Sequence, residues 1–240
     1  MTVHLELDGP VAVVTLDAPP LNIFDLEMRD GLIEAVSAVR DLPDIRAMIL
    51  RSAGRHFSAG ADISEFGTAD SIVEARRIRW DRDPWGPLWD LPVPTIAALR
   101  GVAVGSGMEM AMLCDLRVAA HDTRLGLPET KLAMLPAAGG TQSLTRALGP
   151  HAALPLVASA VTIDAIEAED RGLIHWLADD VDATALSLAH QLALLTPTVV
   201  AAARRALRAA GDLPLDAGLA TEKRLSILAL SLQTKVQAII

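Results

Sequence analysis

The sequence is poor in cysteine, in positive charge and in aromatic side chains, and each shortage excludes something. A single cysteine, Cys114, rules out an intrachain disulfide framework and fits a reducing compartment, where a lone thiol serves as a small buried hydrophobe. Lys and Arg number 21 against 30 Asp and Glu, a net charge of −9. That balance argues against a nucleic-acid surface, which needs a basic face. Aromatic residues make up 3% of the chain, so Trp80, Trp85 and Trp89 form an unusual concentration. They are either core anchors or the lining of an apolar pocket. Membrane spans are not expected either: the longest uncharged run, Ala183–Ala203, contains His190, Gln191 and Pro197. The apolar N-terminal runs carry Glu6, Asp8 and Asp17, which is not the pattern of a signal peptide. The histidines form no H-x-x-x-H or Cys/His cluster, so no metal site is expected. Neither Ser58 nor Ser106 sits in a G-x-S-x-G elbow. Together these features point to a soluble cytoplasmic protein without nucleic-acid or membrane partners.

What is present is apolar substance. Of 240 residues, 51% are hydrophobic, enough for the core of one large domain, with or without an appendage. Val3–Leu7 and Val11–Leu16, separated by Asp8-Gly9-Pro10, predict a β-hairpin. A helix follows over Leu26–Arg40, capped by Asp25, with Leu26, Ile33, Val36 and Val39 on its apolar face. Arg46–Leu50 and Val93–Leu99 read as buried strands, and Asp115–Ala120 as another. Ser71–Trp80 predicts a helix that breaks at Pro84 and Pro87. Ala137–Leu148 reads as a glycine-rich loop feeding a helix, and His151–Ser159 continues helical. Thr162–Ile174 reads as a capped helix ending at Gly172, with a strand over Leu173–Leu177. From Asp182 onward the chain is helical, interrupted at Pro197 and Pro214. A β/α core followed by a helical tail is the expected α/β architecture.

The stretch Leu99–Asp115, LRGVAVGSGMEMAMLCD, concentrates the chemistry. Gly101, Gly105 and Gly107 follow a strand, and a helix is expected to begin near Ser106. Its first N–H groups would then point, unpaired, at whatever sits before them. Into this donor-rich place the chain puts one carboxylate, Glu109. Gly54–Ile63, GRHFSAGADI, is a second strand-to-glycine segment whose Ala59-Gly60-Ala61 backbone is nearly bare of side chains. Gly105-x-Gly107 also resembles half of a dinucleotide fingerprint, but Met110 stands where the third glycine belongs. Backbone donors together with a carboxylate describe a site where negative charge develops and a proton moves.

Taken together the motifs resemble the crotonase superfamily, the enoyl-CoA hydratases and isomerases. The resemblance runs in continuous order from Val11 to Leu177. It takes in PPLN (Pro19–Asn22), FSAGADI (Phe57–Ile63), PTIAALRGVAVGSGMEMAMLCDLRVAA (Pro94–Ala120), LPET (Leu127–Thr130), LPAAGGTQSLTRALG (Leu135–Gly149) and AIEAEDRGLIHWLAD (Ala165–Asp179). It implies a spiral of ββα units over residues 1–190 that holds an acyl-CoA site. It also implies a C-terminal helical region over 191–240 that packs homotrimers, often paired into hexamers.

By the same resemblance the ligand is an acyl-CoA thioester, with coenzyme A as part of the substrate and no separate cofactor. The thioester oxygen falls to the backbone N–H groups of Ala61 and Ser106. Glu109 matches the glutamate that positions and activates water, and Glu129 the one that exchanges a proton at C2. Two carboxylates in one apolar pocket suit acid/base work, because desolvation and mutual repulsion raise carboxyl pKa values. Ala59, Gly60, Asp62, Ile63, Gly105 and Gly107 would line the substrate site. Arg55 matches a commonly basic position and is either a contact for a CoA phosphate or a solvated side chain. Retention of both glutamates favours hydration of a 2-enoyl-CoA. The alternatives are Δ3,Δ2-enoyl-CoA isomerisation with Glu129 as sole base, and a non-catalytic acyl-CoA-binding protein. This chain departs from the family pattern at Ser106, where a third glycine is usual, at Arg100, and at Ala133 and Ala137, which replace frequent glycines. The tail, which ends at Ile240, also lacks the family's common ending.

Overall fold

The computed structural model describes residues 2–65, 68–74 and 82–237. The predicted hairpin is present: β1 (Val3–Asp8) and β2 (Val11–Leu16) pair antiparallel across Gly9. β2 then pairs parallel with β3 (Ala47–Ser52), β3 with β4 (Thr95–Leu99), β4 with β6 (Leu116–Ala119), and β6 with β9 (Trp176–Leu177). A six-stranded sheet of order β1-β2-β3-β4-β6-β9 results. Parallel neighbours require long crossovers, and it is these crossovers that carry the motifs.

The central strands are apolar on both sides because both faces of the sheet are covered. Ala12, Val14, Leu16, Met48, Leu50, Ala97 and Leu99 belong to one core cluster. Val11, Val13, Ala47, Ile49, Ile96, Ala98 and Val118 alternate with them into a second cluster that also contains Val181, Ala185 and Ala189. The first face is covered by α1 (Leu26–Asp41), whose N-terminus is capped by Asp25 Oδ1 accepting from the Met28 N–H at 2.8 Å. The buried stripe of α1 is Met28, Leu32, Ala35, Val36 and Val39. Leu26 is exposed and Ile33 only half-buried, so the predicted face is corrected by about one residue.

A second sheet, of three strands, goes beyond what the sequence pattern predicts. It joins β5 (Val102–Val104), β7 (Arg124–Gly126) and β8 (Thr162–Asp164). β8 occupies the start of the segment expected to be helical. Its last residue, Asp164, caps a shorter helix over Ala165–Asp170 by accepting from the Glu167 N–H at 2.9 Å. The strand expected over Leu173–Leu177 shrinks to the two residues of β9. Pro87 does not break a helix but lies within the first turn of a short one, Trp85–Trp89, where proline loses no intrahelical hydrogen bond. The predicted helix over Ser71–Trp80 lies partly outside the described residues, as does Trp80; Ile72–Glu74 are helical.

In chain order the helices are α1, α2 (Trp85–Trp89), α3 (Ser106–Leu113), α4 (Gly140–Leu148), α5 (Pro150–Ser159), α6 (Ala165–Asp170), α7 (Val181–Ala193), α8 (Pro197–Ala210) and α9 (Leu215–Gln237). Among the described residues no single helix is long and apolar enough to cross a membrane.

Candidate active site

Two backbone segments from different crossovers meet at the centre of the molecule. The first is Phe57–Asp62. Its course is fixed from the PPLN turn by Asn22, a fully buried side chain. Asn22 Nδ2 donates to the carbonyls of Ala53 (3.0 Å) and His56 (2.7 Å), and its Oδ1 accepts from the Ala18 N–H at 2.7 Å. Sequence reasoning saw only a turn there; a buried asparagine satisfied by three backbone groups is a brace. Farther along, the Phe24 N–H donates to Gly60 O (2.8 Å) and the Asp62 N–H to Phe24 O (3.1 Å). Ala61 lies between these two bonds, so its own N–H points away from Phe24, into the interior of the site.

The second segment is β5 and the start of α3. It is laced to the first by the Ser58 N–H donating to Val102 O (3.0 Å) and the Val104 N–H donating to Ser58 O (3.1 Å). Gly105 turns the chain with φ +55°, a left-handed conformation that disfavours side chains. Helix α3 begins at Ser106, as predicted, and the Glu109 N–H closes the first turn on Gly105 O at 2.9 Å. The Ser106 N–H is therefore one of the first-turn donors with no intrahelical partner. Gly107 has to be glycine because a Cβ there would stand 2.6 Å from Ser58 O. On the other side, a Cβ on Gly60 would lie 3.8 Å from the Ser106 nitrogen. The Ala61 and Ser106 regions are thus held in direct contact.

The two glutamates flank this junction. Glu109, 2% exposed, projects from α3, and its Oε1 accepts from the N–H groups of Ala138 (2.8 Å) and Gly140 (2.9 Å). The glycine-rich loop before α4 thereby fixes the orientation of the carboxylate. Glu129 follows Pro128 on a 3₁₀ turn, Pro128–Leu132, and its Oε1 lies 3.2 Å from where a Cβ on Gly105 would be. The turn ends at Ala133 in the left-handed region, φ +54°, which explains physically why glycine suits that position.

A cavity of about 680 Å³ opens from this junction, within the roughly 300–1,000 Å³ typical of small-molecule sites. Ala61, Asp62 and Ser106 line one end, and Phe24, Trp85, Trp89 and Leu113 supply apolar wall. The Phe24 and Trp85 rings pack in a tilted arrangement, centroids 5.0 Å apart and planes at 35°. Two of the three clustered tryptophans therefore face the cavity. Asp62 Oδ1 accepts from both the N–H (2.8 Å) and the hydroxyl of Ser64 (2.7 Å), and that hydrogen bonding holds its carboxyl below the usual range. Ala59 ties its N–H to Leu21 O at 2.9 Å. Ile63 and Arg55 are exposed, and neither lines the cavity. Of the expected site residues only Ala61, Asp62 and Ser106 do, while Ala59, Gly60, Gly105, Gly107 and the two glutamates lie outside its lining. Arg100 is turned away into an ion pair with Asp182 of α7 at 2.6 Å. Cys114 is buried, and burial, reinforced by Asp115, pushes its thiol up to about 12, so it is chemically quiet. Among the described residues no group of three or more His, Cys, Asp or Glu could hold a metal ion.

Backbone N–H groups meeting from two crossovers, two carboxylates beside them and a cavity with apolar wall beyond form an arrangement suited chemically to developing negative charge and proton movement. The chain belongs to the enoyl-CoA hydratase/isomerase family, whose pattern it matches over residues 6–235. It is 36% identical to a probable enoyl-CoA hydratase of Mycobacterium tuberculosis over 93% of this chain and 88% of that protein. Its fold is that of the crotonase-like spiral. An enoyl-CoA hydratase subunit of Geobacillus kaustophilus superposes with a TM-score of 0.90 at 31% identity, covering 96% of this chain and 90% of that one. A putative enoyl-CoA hydratase of Thermobifida fusca, solved in complex with CoA, superposes with a TM-score of 0.88 at 27% identity, covering 98% and 95%.

Proposed function

We propose that the protein is an enoyl-CoA hydratase that adds water across the 2,3 double bond of a 2-enoyl-CoA thioester. Coenzyme A enters as part of the substrate, and neither a metal nor a redox cofactor is used. The observation that carries the reading is the meeting of the Ala61 and Ser106 donors with Glu109 and Glu129 on either side. Attack of water at C3 puts negative charge on the thioester oxygen, and the two N–H groups lie where they can receive it. Glu109, oriented by Ala138 and Gly140, positions the water and takes its proton. Glu129 delivers a proton to C2, and the product is a 3-hydroxyacyl-CoA. The reading extends to assembly as a homotrimer or a dimer of trimers through α8 and α9. Its support is the exposed apolar face there, with Leu207 75% and Leu215 78% accessible.

The test is loss of the enoyl-thioester absorbance for crotonyl-, octenoyl- and a cyclic dienoyl-CoA. E109Q and E129Q are expected to lower kcat by roughly 10²–10⁴-fold each, the range for a lost general acid or base. Unimpaired turnover in the double variant would sink the mechanism. Migration of a double bond without uptake of solvent oxygen would move the assignment to isomerisation.

A further inference from the structure

The wall of the cavity is held from outside by a helix of the C-terminal region. Trp85 and Trp89, one turn apart on α2, face the cavity. Arg208 of α8 lies over the Trp89 ring, its Cζ 3.9 Å from the ring centroid. The same guanidinium donates through Nη1 to Trp89 O and through Nη2 to Asp115 Oδ1 at 3.1 Å. One helical turn earlier, Arg204 pairs with Asp115 Oδ2 at 2.7 Å and donates to Leu91 O at 2.7 Å. Asp115 also accepts from the Thr95 N–H at 2.8 Å, which ties the cluster to β4. Both ion pairs are largely shielded, with side-chain exposures of 12–20%.

We propose that Arg208 is a positioning residue for acyl selection, fixing the Trp89 indole as the wall against which the distal part of the acyl group packs. A planar guanidinium can stack on a ring and still donate in its own plane to two acceptors; an ammonium cannot do all three. Ala61, Ser106 and Trp89 line the same cavity, and on this proposal a short acyl group stays at the Ala61 and Ser106 end while a long one extends to the indole. Arg208 therefore acts on chain-length preference rather than on the chemical step. The inference rests on the acyl-CoA reading of the site.

The experiment is calorimetric binding of butyryl-CoA and decanoyl-CoA, saturated thioesters that cannot be hydrated, to wild type, R208K, W89A and the double variant, with Tm measured for each. R208K is expected to lose at least tenfold more affinity for decanoyl- than for butyryl-CoA. W89A is expected to show the same selective loss. In the W89A background, adding R208K should change the ratio of the two affinities by less than twofold, because Arg208 acts through that ring. Equal losses for both ligands, or fully additive effects in the double variant, would overturn the proposal while leaving the acyl-CoA site intact. Wild type that binds neither thioester would overturn the reading of the site and the inference with it. Should R208K fold too poorly to measure, R208Q carries the same comparison with W89A, and equal losses of both thioesters in R208Q would equally overturn the proposal.

Discussion

Helices α3 and α8 stand at opposite extremes of burial. Every residue of α3 is buried, whereas α8 counts none as buried. The first is sealed between the small sheet and α4 and presents Ser106, its first residue, to the cavity, with Glu109 buried behind and bonded to Ala138 and Gly140. The second touches the core chiefly through two arginines reaching Asp115. Packing density holds the one, charge and geometry the other. Chemistry sits where the backbone cannot move, while tuning sits where a helix is docked by a few long side chains.

The sharpest way to isolate the sealed region is S106P. Ser106 is the first residue of α3, where proline is tolerated, so the substitution removes one N–H donor with little cost to the helix. A fall of roughly 10²–10³-fold in kcat is expected, as for loss of one oxyanion donor. Retained activity at wild-type level would remove Ser106 from the site. On the docked side, D115N removes the shared partner of Arg204 and Arg208. It should cost about 2 kcal/mol of stability by denaturant titration, below the full penalty of a wholly buried pair because solvent still reaches the cluster. Unchanged stability would show that α8 is held by something else.

A smaller effect separates the regions by pH. Burial, and then the Arg117 guanidinium, lower His175 from 6.5 to about 4, and its Nδ1 accepts the Arg117 N–H at 3.0 Å. The ring thus binds a proton more readily in the unfolded chain. Its contribution to stability is complete above pH 6.5 and is lost as the pH falls toward 4. For a partly exposed ring the loss is about 1 kcal/mol, and H175Q should flatten that part of the unfolding profile. Smallest is A133G, which relieves a left-handed alanine behind Glu129 and is expected to stabilise by about 0.5–1 kcal/mol. A lower Tm would mean that the methyl group packs usefully.

Much of the sealed region was legible because its determinants are local. The hairpin follows from alternating valines around Gly9, the start of α3 from Gly105-Ser106-Gly107, and the cap of α1 from Asp25. The small sheet escaped notice because β5 is only Val102-Ala103-Val104, too short to show a period. The face of α1 was misplaced because Leu26 and Ile33 are hydrophobic, while the 3.6-residue spacing selects Met28, Leu32, Ala35, Val36 and Val39. Asn22 shows locally only as the end of a turn, and Asp115, Arg204 and Arg208 carry no local signal of their partners. Their long-range roles arise only when segments 20 to 119 residues apart are brought together.

The short ladder joining Ser58 to β5 also has a kinetic meaning. Its two hydrogen bonds lie just ahead of both donors, three residues before Ala61 and two before Ser106. The spacing between those N–H groups is therefore not a loop coordinate that wanders on the nanosecond scale. It changes only when strand pairing is broken, an event on the slower clock of local unfolding. On the proposed mechanism the two N–H groups then stand ready between one encounter and the next, and the reorganisation that water would have to perform in solution is completed once, during folding.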